Sequence, residues 1–126
     1  MKIDPLRPLT SAESLVLGLL LGAEFAGAET LRIQARSALV CRRCDCGCPT
    51  VDLQVAADAP EASNLKSRLV PSEGEVSPVG QEAPGQIILF VDGGRLSSLE
   101  YVYFDVVPKE WPSADRIQVF VTSREG

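Results

Sequence analysis

Residues 87–104, with the sequence IILFVDGGRLSSLEYVYF, decide the fold class of this 126-residue chain. Residues 87–91 are apolar on both faces, which is typical of a strand in the middle of a sheet. Residues 92–95 (DGGR) supply the positive φ angles that a tight hairpin needs. Residues 96–104 then form the returning strand, so the stretch as a whole predicts an antiparallel hairpin.

Two segments outside this hairpin alternate apolar and polar residues, the pattern of a half-buried strand. They are residues 50–55 (TVDLQV) and residues 116–121 (RIQVFV). Residues 66–70 give a weaker indication of a further strand. Residues 71–85 hold three Pro, three Gly and three Glu, a composition that predicts a mobile surface loop.

Helical periodicity is confined to the part of the chain before residue 40. Thr10 and Glu13 have the spacing of a capping box, and the helix that they start is predicted to run over residues 11–21, with Gly22 as its stop. A second helix is predicted from about residue 26 to residue 37. Because only a few residues separate the two helices, they are expected to form an antiparallel helical hairpin.

Together these elements predict one α+β domain over residues 1–126. An N-terminal helical hairpin at about residues 11–37 is expected to pack on a four- to five-stranded antiparallel sheet at about residues 40–122. A chain of this length can bury a core without the help of disulfides or a metal.

The charge and composition exclude several classes of function. The chain has 12 basic and 17 acidic residues, a net charge of −5, whereas a nucleic-acid-binding domain normally presents a basic face. It has no His, which removes Ser-His-Asp and Cys-His catalysis and mixed Cys/His zinc fingers. We therefore expect no nucleic-acid partner, assign no catalytic residue, and do not favour an enzyme.

The most apolar stretch, residues 15–23 (LVLGLLLGA), bears on targeting. It is too short to span a bilayer as a helix, which takes about 20 residues. Residues 26–28 (AGA) imitate a signal-peptidase site, so export is an alternative, but the acidic residues and prolines of the preceding segment make a poor signal-peptide start. We expect a cytoplasmic protein with no membrane partner, in which cysteines are thiols or metal ligands rather than stable bridges.

Residues 41–48 (CRRCDCGC) place four cysteines within eight residues. If the backbone is extended over residues 44–55, the alternate cysteines of this stretch point to its polar side, opposite the aliphatic side chains. Arg42 and Arg43 would favour the thiolate forms. Thiolates are the ligands chosen by zinc, cuprous copper and iron–sulfur clusters.

Three interpretations of this cluster stay open: a metal site for zinc or copper, redox-active thiols, and cysteines that pack as small hydrophobic residues. Common zinc modules pair two Cys-x2-Cys units across a long loop. Here four ligands could surround a metal only if Asp45 and Gly47 break the strand. We expect no cofactor, and zinc is the alternative. The candidate metal ligands are Cys41, Cys44, Cys46 and Cys48.

Most aromatic residues fall after residue 89. Tyr101, Tyr103 and Trp111 are candidates for an interaction surface, because Tyr and Trp are favoured at protein interfaces. Core packing is the alternative, since aromatic residues routinely fill strands.

Four sequence motifs are similar to those of a group of known proteins. They are AETLRIQ (residues 28–34), CDCGCPTVDL (residues 44–53), ILFVDGGRLSSLEYVYFD (residues 88–105) and EWPSADRI (residues 110–117). In these motifs, and over most of its length apart from residues 71–85 and both ends, the chain resembles a group of small uncharacterised bacterial α+β proteins. The resemblance implies a compact α+β domain and no particular activity or ligand. Cys41 is an addition to the group's three-cysteine CxCxCP word.

These observations favour a small protein-interaction or regulatory module, for example an immunity-like protein, that binds an unknown protein partner or a second copy of itself. Such a module should expose an apolar patch. The first alternative is a cysteine-thiolate protein that binds zinc or copper, and the second is a redox thiol protein.

Overall fold

The computed structural model describes residues 2–65, 67–78, 84–104 and 106–122, without the side chains of residues 2–4. The elements in chain order are β1 (Lys2–Pro8), α1 (Ser11–Leu21), α2 (Ala28–Ala35), β2 (Leu39–Arg43), β3 (Val51–Gln54), β4 (Leu69–Val76), β5 (Gly85–Asp92), β6 (Arg95–Tyr103), a 3-10 turn (Ala114–Arg116) and β7 (Ile117–Val121).

The strands of the described residues form one antiparallel sheet in the order β1-β2-β3-β6-β5-β4-β7. Helix α1 contacts β4 and helix α2 contacts β6, and the helices share one apolar core with the central strands. The predicted α+β class is therefore confirmed. The predicted four to five strands are too few, because the sheet has seven. The apolar core residues with 0% exposure among the described residues are Leu20, Leu31, Val40, Val70, Ile87, Leu89 and Leu99.

The central hairpin forms where the sequence predicts it. Strands β5 and β6 pair from Gly85 and Tyr103 to Asp92 and Arg95. The turn between them has positive φ angles of 60° and 76° at its two glycines, as a two-residue hairpin turn with this twist requires. The bounds of α1, β3 and β7 also lie close to the predicted ones.

Strand β4 corrects the prediction of a loop over residues 71–85. Residues 73–76 pair with β5 on one side and residues 72–76 pair with β7 on the other, while residues 79–83 lie outside the described residues. Proline has no backbone N–H to donate to a neighbouring strand. Pro71 is accommodated because the pairing with β5 is irregular between Leu69 and Glu73, where no hydrogen bond from this residue is required. A Cβ at Gly74 would be 3.1 Å from Ile117 Cγ2, so this glycine leaves room for the Ile117 side chain of the neighbouring strand β7.

Strand β1 is an edge strand that the sequence did not predict. It contains Pro5 and Pro8, and its pairing with β2 shifts register between Ile3 and Arg7. Prolines are tolerated at edges and bulges of sheets, although they argue against a central strand. Since β1 precedes both helices, the predicted N-terminal helical hairpin is not confirmed. The second helix, Ala28–Ala35, is also shorter than predicted.

Both helices are too short or too polar to cross a membrane, as far as the described residues go. Helix α1 ends in a set of hydrogen bonds from α2. Arg32 donates from Nε to the carbonyl oxygen of Leu21 and from a terminal nitrogen to that of Ala23. This guanidinium satisfies carbonyl groups that have no partner within their own helix.

A buried amide ties α2 to the central hairpin. Gln34 has 0% exposure. Its Nε2 donates to the carbonyl oxygens of Pro60 and Gly94 at 2.7 and 2.8 Å, and its Oε1 accepts from the N–H of Leu96 at 2.8 Å. A buried amide with all three of these bonds stabilises one arrangement of helix, loop and hairpin turn, because any other leaves polar groups unpaired.

The predicted capping box starts α1 and also connects it to β1. The Thr10 hydroxyl accepts from the N–H of Glu13 at 3.1 Å, and a Glu13 carboxylate oxygen accepts from the N–H of Thr10 at 2.8 Å. Arg7 donates to both carboxylate oxygens at 2.9 and 3.0 Å. Burial raises the pKa of Glu13, but the hydrogen bonds and charge of Arg7 and the bonds from Thr10 outweigh it and lower the pKa below its usual 4.5.

Replacing Glu13 with Gln should destabilise the protein in a pH-dependent way. The folded-state pKa lies below the unfolded value, so the stabilisation by the carboxylate is present above pH 4.5 and is lost as the pH falls through the folded-state pKa. At neutral pH we expect E13Q to lower the free energy of unfolding by about 1.5–3 kcal/mol, the range for hydrogen bonds to charged groups. Urea unfolding from pH 3 to pH 8 measures this.

Glu24→Gln is the matched control for E13Q. Glu24 also pairs with an arginine, Arg32, at 2.9 Å, but its side chain is 87% exposed, and such surface pairs contribute less than about 1 kcal/mol. The role assigned to the Glu13 carboxylate would be contradicted if the free energies of unfolding of the wild type and E13Q differed by the same amount at pH 3 and at pH 7.

Candidate metal centre

The cysteines lie in the turn that joins β2 to β3. Strand β2 ends at Arg43 and β3 begins at Val51, and the two strands pair antiparallel. The turn closes through the N–H of Cys44, which donates to the carbonyl oxygen of Thr50 at 3.1 Å, and it reverses at Gly47, where φ is 91°. The predicted extended backbone over residues 44–55 is therefore wrong, since residues 44–50 form a turn and not a strand.

The turn brings three of the four candidate ligands together. The Sγ atoms of Cys44, Cys46 and Cys48 all lie within 4.8 Å of one another. The closest pair, Cys44 and Cys46, is separated by 2.8 Å, and the N–H of Cys48 donates to Cys46 Sγ at 3.4 Å. A backbone N–H directed at a sulfur stabilises the thiolate that a metal needs.

Cys41 does not belong to this group. It lies within β2, and its sulfur is absent from the set that could share one ion. Burial and the charge of Asp52 raise the pKa of Cys41, although Arg42 acts in the opposite direction. The predicted four-cysteine ligand set is thus reduced to three by the geometry.

The three clustered sulfurs have different environments. Cys46 is exposed, Cys44 is partly buried and Cys48 is 8% exposed. Hydrogen bonds from Cys44, then from Cys48 and the Tyr103 hydroxyl, lower the pKa of Cys46 to about 6. The hydrogen bonds that Cys44 and Tyr103 make to Cys46 raise the pKa of Cys44 to about 11 and that of Tyr103 to about 12, because each group must keep its proton to act as a hydrogen-bond donor.

A cleft of about 310 Å³ opens beside the turn, and both basic and acidic side chains line it. Arg43, which was predicted to favour thiolates, is among them, whereas Arg42 is not. The charged lining residues are Arg7, Glu13, Arg43, Asp45 and Lys109, and Cys44 and Cys48 share the cleft with them.

The three predicted aromatic residues do not form one surface, because two of them stack on each other and the third lies beside the cysteines. Tyr101 is 5% exposed, and its ring stacks on Trp111 with the centroids 5.7 Å apart. Gly85 makes room for it, because a Cβ there would be 2.6 Å from Tyr101 Cε1. Tyr101 is thus a core residue. Tyr103, at the end of β6, contacts Cys46 and so lies beside the cysteine turn.

Thr50 is a positioning residue that the sequence did not reveal. It is 8% exposed, and its hydroxyl accepts from the N–H of Tyr101 at 2.9 Å. The sequence shows it only as the first residue of an alternating strand, and the only further signal is its place immediately after the CxCxCP word.

No family model, curated protein or solved structure matches the chain. The resemblance to a group of small bacterial proteins therefore stays a prediction, and function has to be argued from the turn itself. Three thiols that converge on one point from a single tight turn can bind a thiophilic metal ion or exchange electrons by forming a disulfide.

Alkylation of the metal-free protein should distinguish the four thiols. Cys46 is exposed and its pKa is lowered to about 6, so we expect iodoacetamide to modify it first, with a rate that rises through pH 6. Mass spectrometry of the digested protein at a series of pH values measures this. In Tyr103→Phe the midpoint should move to higher pH, since one hydrogen bond to the thiolate is lost.

Cys46→Ser is the control for this assignment, and it should remove the fast phase. Four thiols that react at similar rates, with a common midpoint near the ordinary thiol value of 9, would contradict the environment described for Cys46.

Proposed function

We propose that this protein binds one thiophilic metal ion, zinc or cuprous copper, through Cys44, Cys46 and Cys48. The observation that carries the proposal is the convergence of three sulfurs within 4.8 Å on one turn. A reducing compartment such as the cytoplasm would keep these thiols available.

The distances between the sulfurs suit a metal of this size. A tetrahedral zinc with bonds of about 2.3 Å holds its sulfur ligands about 3.8 Å apart. The closest pair here is separated by 2.8 Å and all three lie within 4.8 Å, so shifts of about 1 Å in an exposed turn reach that geometry. The bound ion would hold Cys44 and Cys46 apart in place of the hydrogen bond that now joins them.

The number of ligands narrows the choice of metal. Zinc takes four ligands, and three thiolates leave one position for water or another small ligand. Cuprous copper is also selected by thiolates. An iron–sulfur cluster normally takes four cysteine ligands, and Cys41 does not join the other three, so the arrangement favours a single ion.

The turn also supplies part of the organisation that binding requires. The Cys44 N–H donates to the carbonyl oxygen of Thr50, and the Cys48 N–H donates to Cys46 Sγ. A site whose backbone is already held loses less conformational entropy on binding. Binding should release protons, because thiols must ionise to become ligands.

Metal titration of the reduced, metal-free protein tests the proposal. Competition with a chromophoric chelator for zinc, and with a cuprous chelator for copper, should show one tight equivalent of one of the two ions. Each of the substitutions Cys44→Ser, Cys46→Ser and Cys48→Ser should weaken metal binding more than about tenfold. Removing a group that only orients a metal ligand already lowers the affinity by about this factor.

Cys41→Ser is the matched control, and its affinity should stay within about twofold of the wild type because Cys41 is not a ligand. Uptake below about one-tenth of an equivalent of either ion, or binding that C46S leaves unchanged, would rule out the three-thiolate site.

Three exposed apolar residues close together in the chain are a candidate contact patch, which favours a second candidate function, protein interaction. Phe104, Val106 and Val107 are 68%, 72% and 38% exposed, and they directly follow β6. Apolar residues clustered in this way mark contact surfaces more often than single exposed ones do. The predicted interaction module thus has a candidate surface, although it lies next to the predicted residues rather than on Tyr101.

A photo-crosslinking amino acid in place of Val106 tests this second function. It should capture one discrete protein, either a partner or a second copy of the chain, and Phe104→Ser should abolish the product because it removes apolar contact area. The same crosslinker at the exposed polar Asp58 is the control. Equal, unspecific products at both positions would argue against the patch.

A further inference from the structure

The two closest sulfurs of the turn differ in their access to solvent. Cys44 Sγ and Cys46 Sγ are 2.8 Å apart, and Cys46 is exposed. Cys48 is 8% exposed, and Cys41 lies apart within β2. A small oxidant arriving from solvent therefore meets Cys46 first, and the nearest thiol to the oxidised sulfur is Cys44.

Resting on the proposed metal site, we propose that peroxides oxidise Cys44 and Cys46 to a disulfide and thereby release the bound metal. The turn would then be a redox-controlled metal site, with metal bound under reducing conditions and freed under oxidising ones.

The reaction balances with hydrogen peroxide as the oxidant. Cys46 Sγ attacks one peroxide oxygen, the O–O bond breaks, and a sulfenic acid and one water form. Cys44 Sγ then attacks Cys46 Sγ, the S–O bond breaks, and the second water leaves as the S–S bond forms. The two sulfurs together lose two electrons, and the two peroxide oxygens gain them. The two protons come from the thiols, or from solvent when both sulfurs are metal-bound thiolates.

Metal release follows from the count of remaining ligands. A disulfide between Cys44 and Cys46 leaves only Cys48 of the three, and a single thiolate is far from the set that holds a structural zinc. Cys41 is no replacement, because its sulfur does not belong to the converging group. Reduction of the disulfide by a dithiol would restore all three ligands.

The experiment uses the full chain loaded with one equivalent of zinc, treated with hydrogen peroxide. A chromophoric zinc chelator follows release, and peptide mass spectrometry maps the disulfide. We expect one zinc released for each Cys44–Cys46 disulfide formed, and rebinding after reduction. A disulfide between other cysteines, or zinc retained in the oxidised protein, would overturn the inference.

Cys48→Ser separates the two proposals. It should lose tight zinc binding but still form the Cys44–Cys46 disulfide, because Cys48 contributes neither of the two sulfurs that are joined. Cys46→Ser should slow oxidation by more than about tenfold, and Cys41→Ser should change neither readout.

The outcomes identify which proposal fails. A wild type that takes up no metal defeats the metal site and, with it, metal release. A wild type that binds zinc, combined with a Cys48→Ser variant that forms no Cys44–Cys46 disulfide, defeats the redox inference alone.

Discussion

The cysteine turn depends on Thr50, which connects it to the centre of the sheet. The Thr50 hydroxyl accepts from the N–H of Tyr101 on β6 at 2.9 Å, and its carbonyl oxygen accepts from the N–H of Cys44 at 3.1 Å. One buried residue thus closes the turn and fixes it against β6. Tyr103, two residues further along and on the same face of that strand, is then placed beside Cys46. Without the hydroxyl, the buried N–H of Tyr101 would lose its partner.

The sequence predicted those elements whose signals are local. The capping box at Thr10 and Glu13 and the glycine pair of the central hairpin each specify a geometry within a few residues, and both occur as predicted. Strands β1 and β4 were missed because their prolines and glycines are also typical of loops. What makes them strands is tertiary structure: an edge position for β1, and for β4 an irregular pairing at Pro71 and the close packing of Ile117 from β7 on Gly74.

Prediction of the cysteine site from the sequence is limited in the same way, because local patterns do not specify tertiary structure. Alternation of side chains along a strand correctly grouped Cys44, Cys46 and Cys48, but for a reason that does not hold, since these residues form a turn. A metal site was expected to require a break in the strand at Asp45 and Gly47, and the chain does reverse at Gly47, where φ is positive. Which strand the turn meets depends on the pairing of β3 with β6, and no local pattern specifies that.

The charges around the turn bear on the proposed metal centre, because the chain as a whole is acidic. A divalent ion such as zinc held by three thiolates would carry a net charge of −1, and the chain already carries −5. Arg7, Arg43 and Lys109 line the adjoining cleft, so basic groups from three separate parts of the chain lie beside this added charge. Part of their charge is offset by Glu13 and Asp45 in the same cleft. The basic groups there outnumber the acidic ones, and this local excess reduces the repulsion that an anionic centre would otherwise meet.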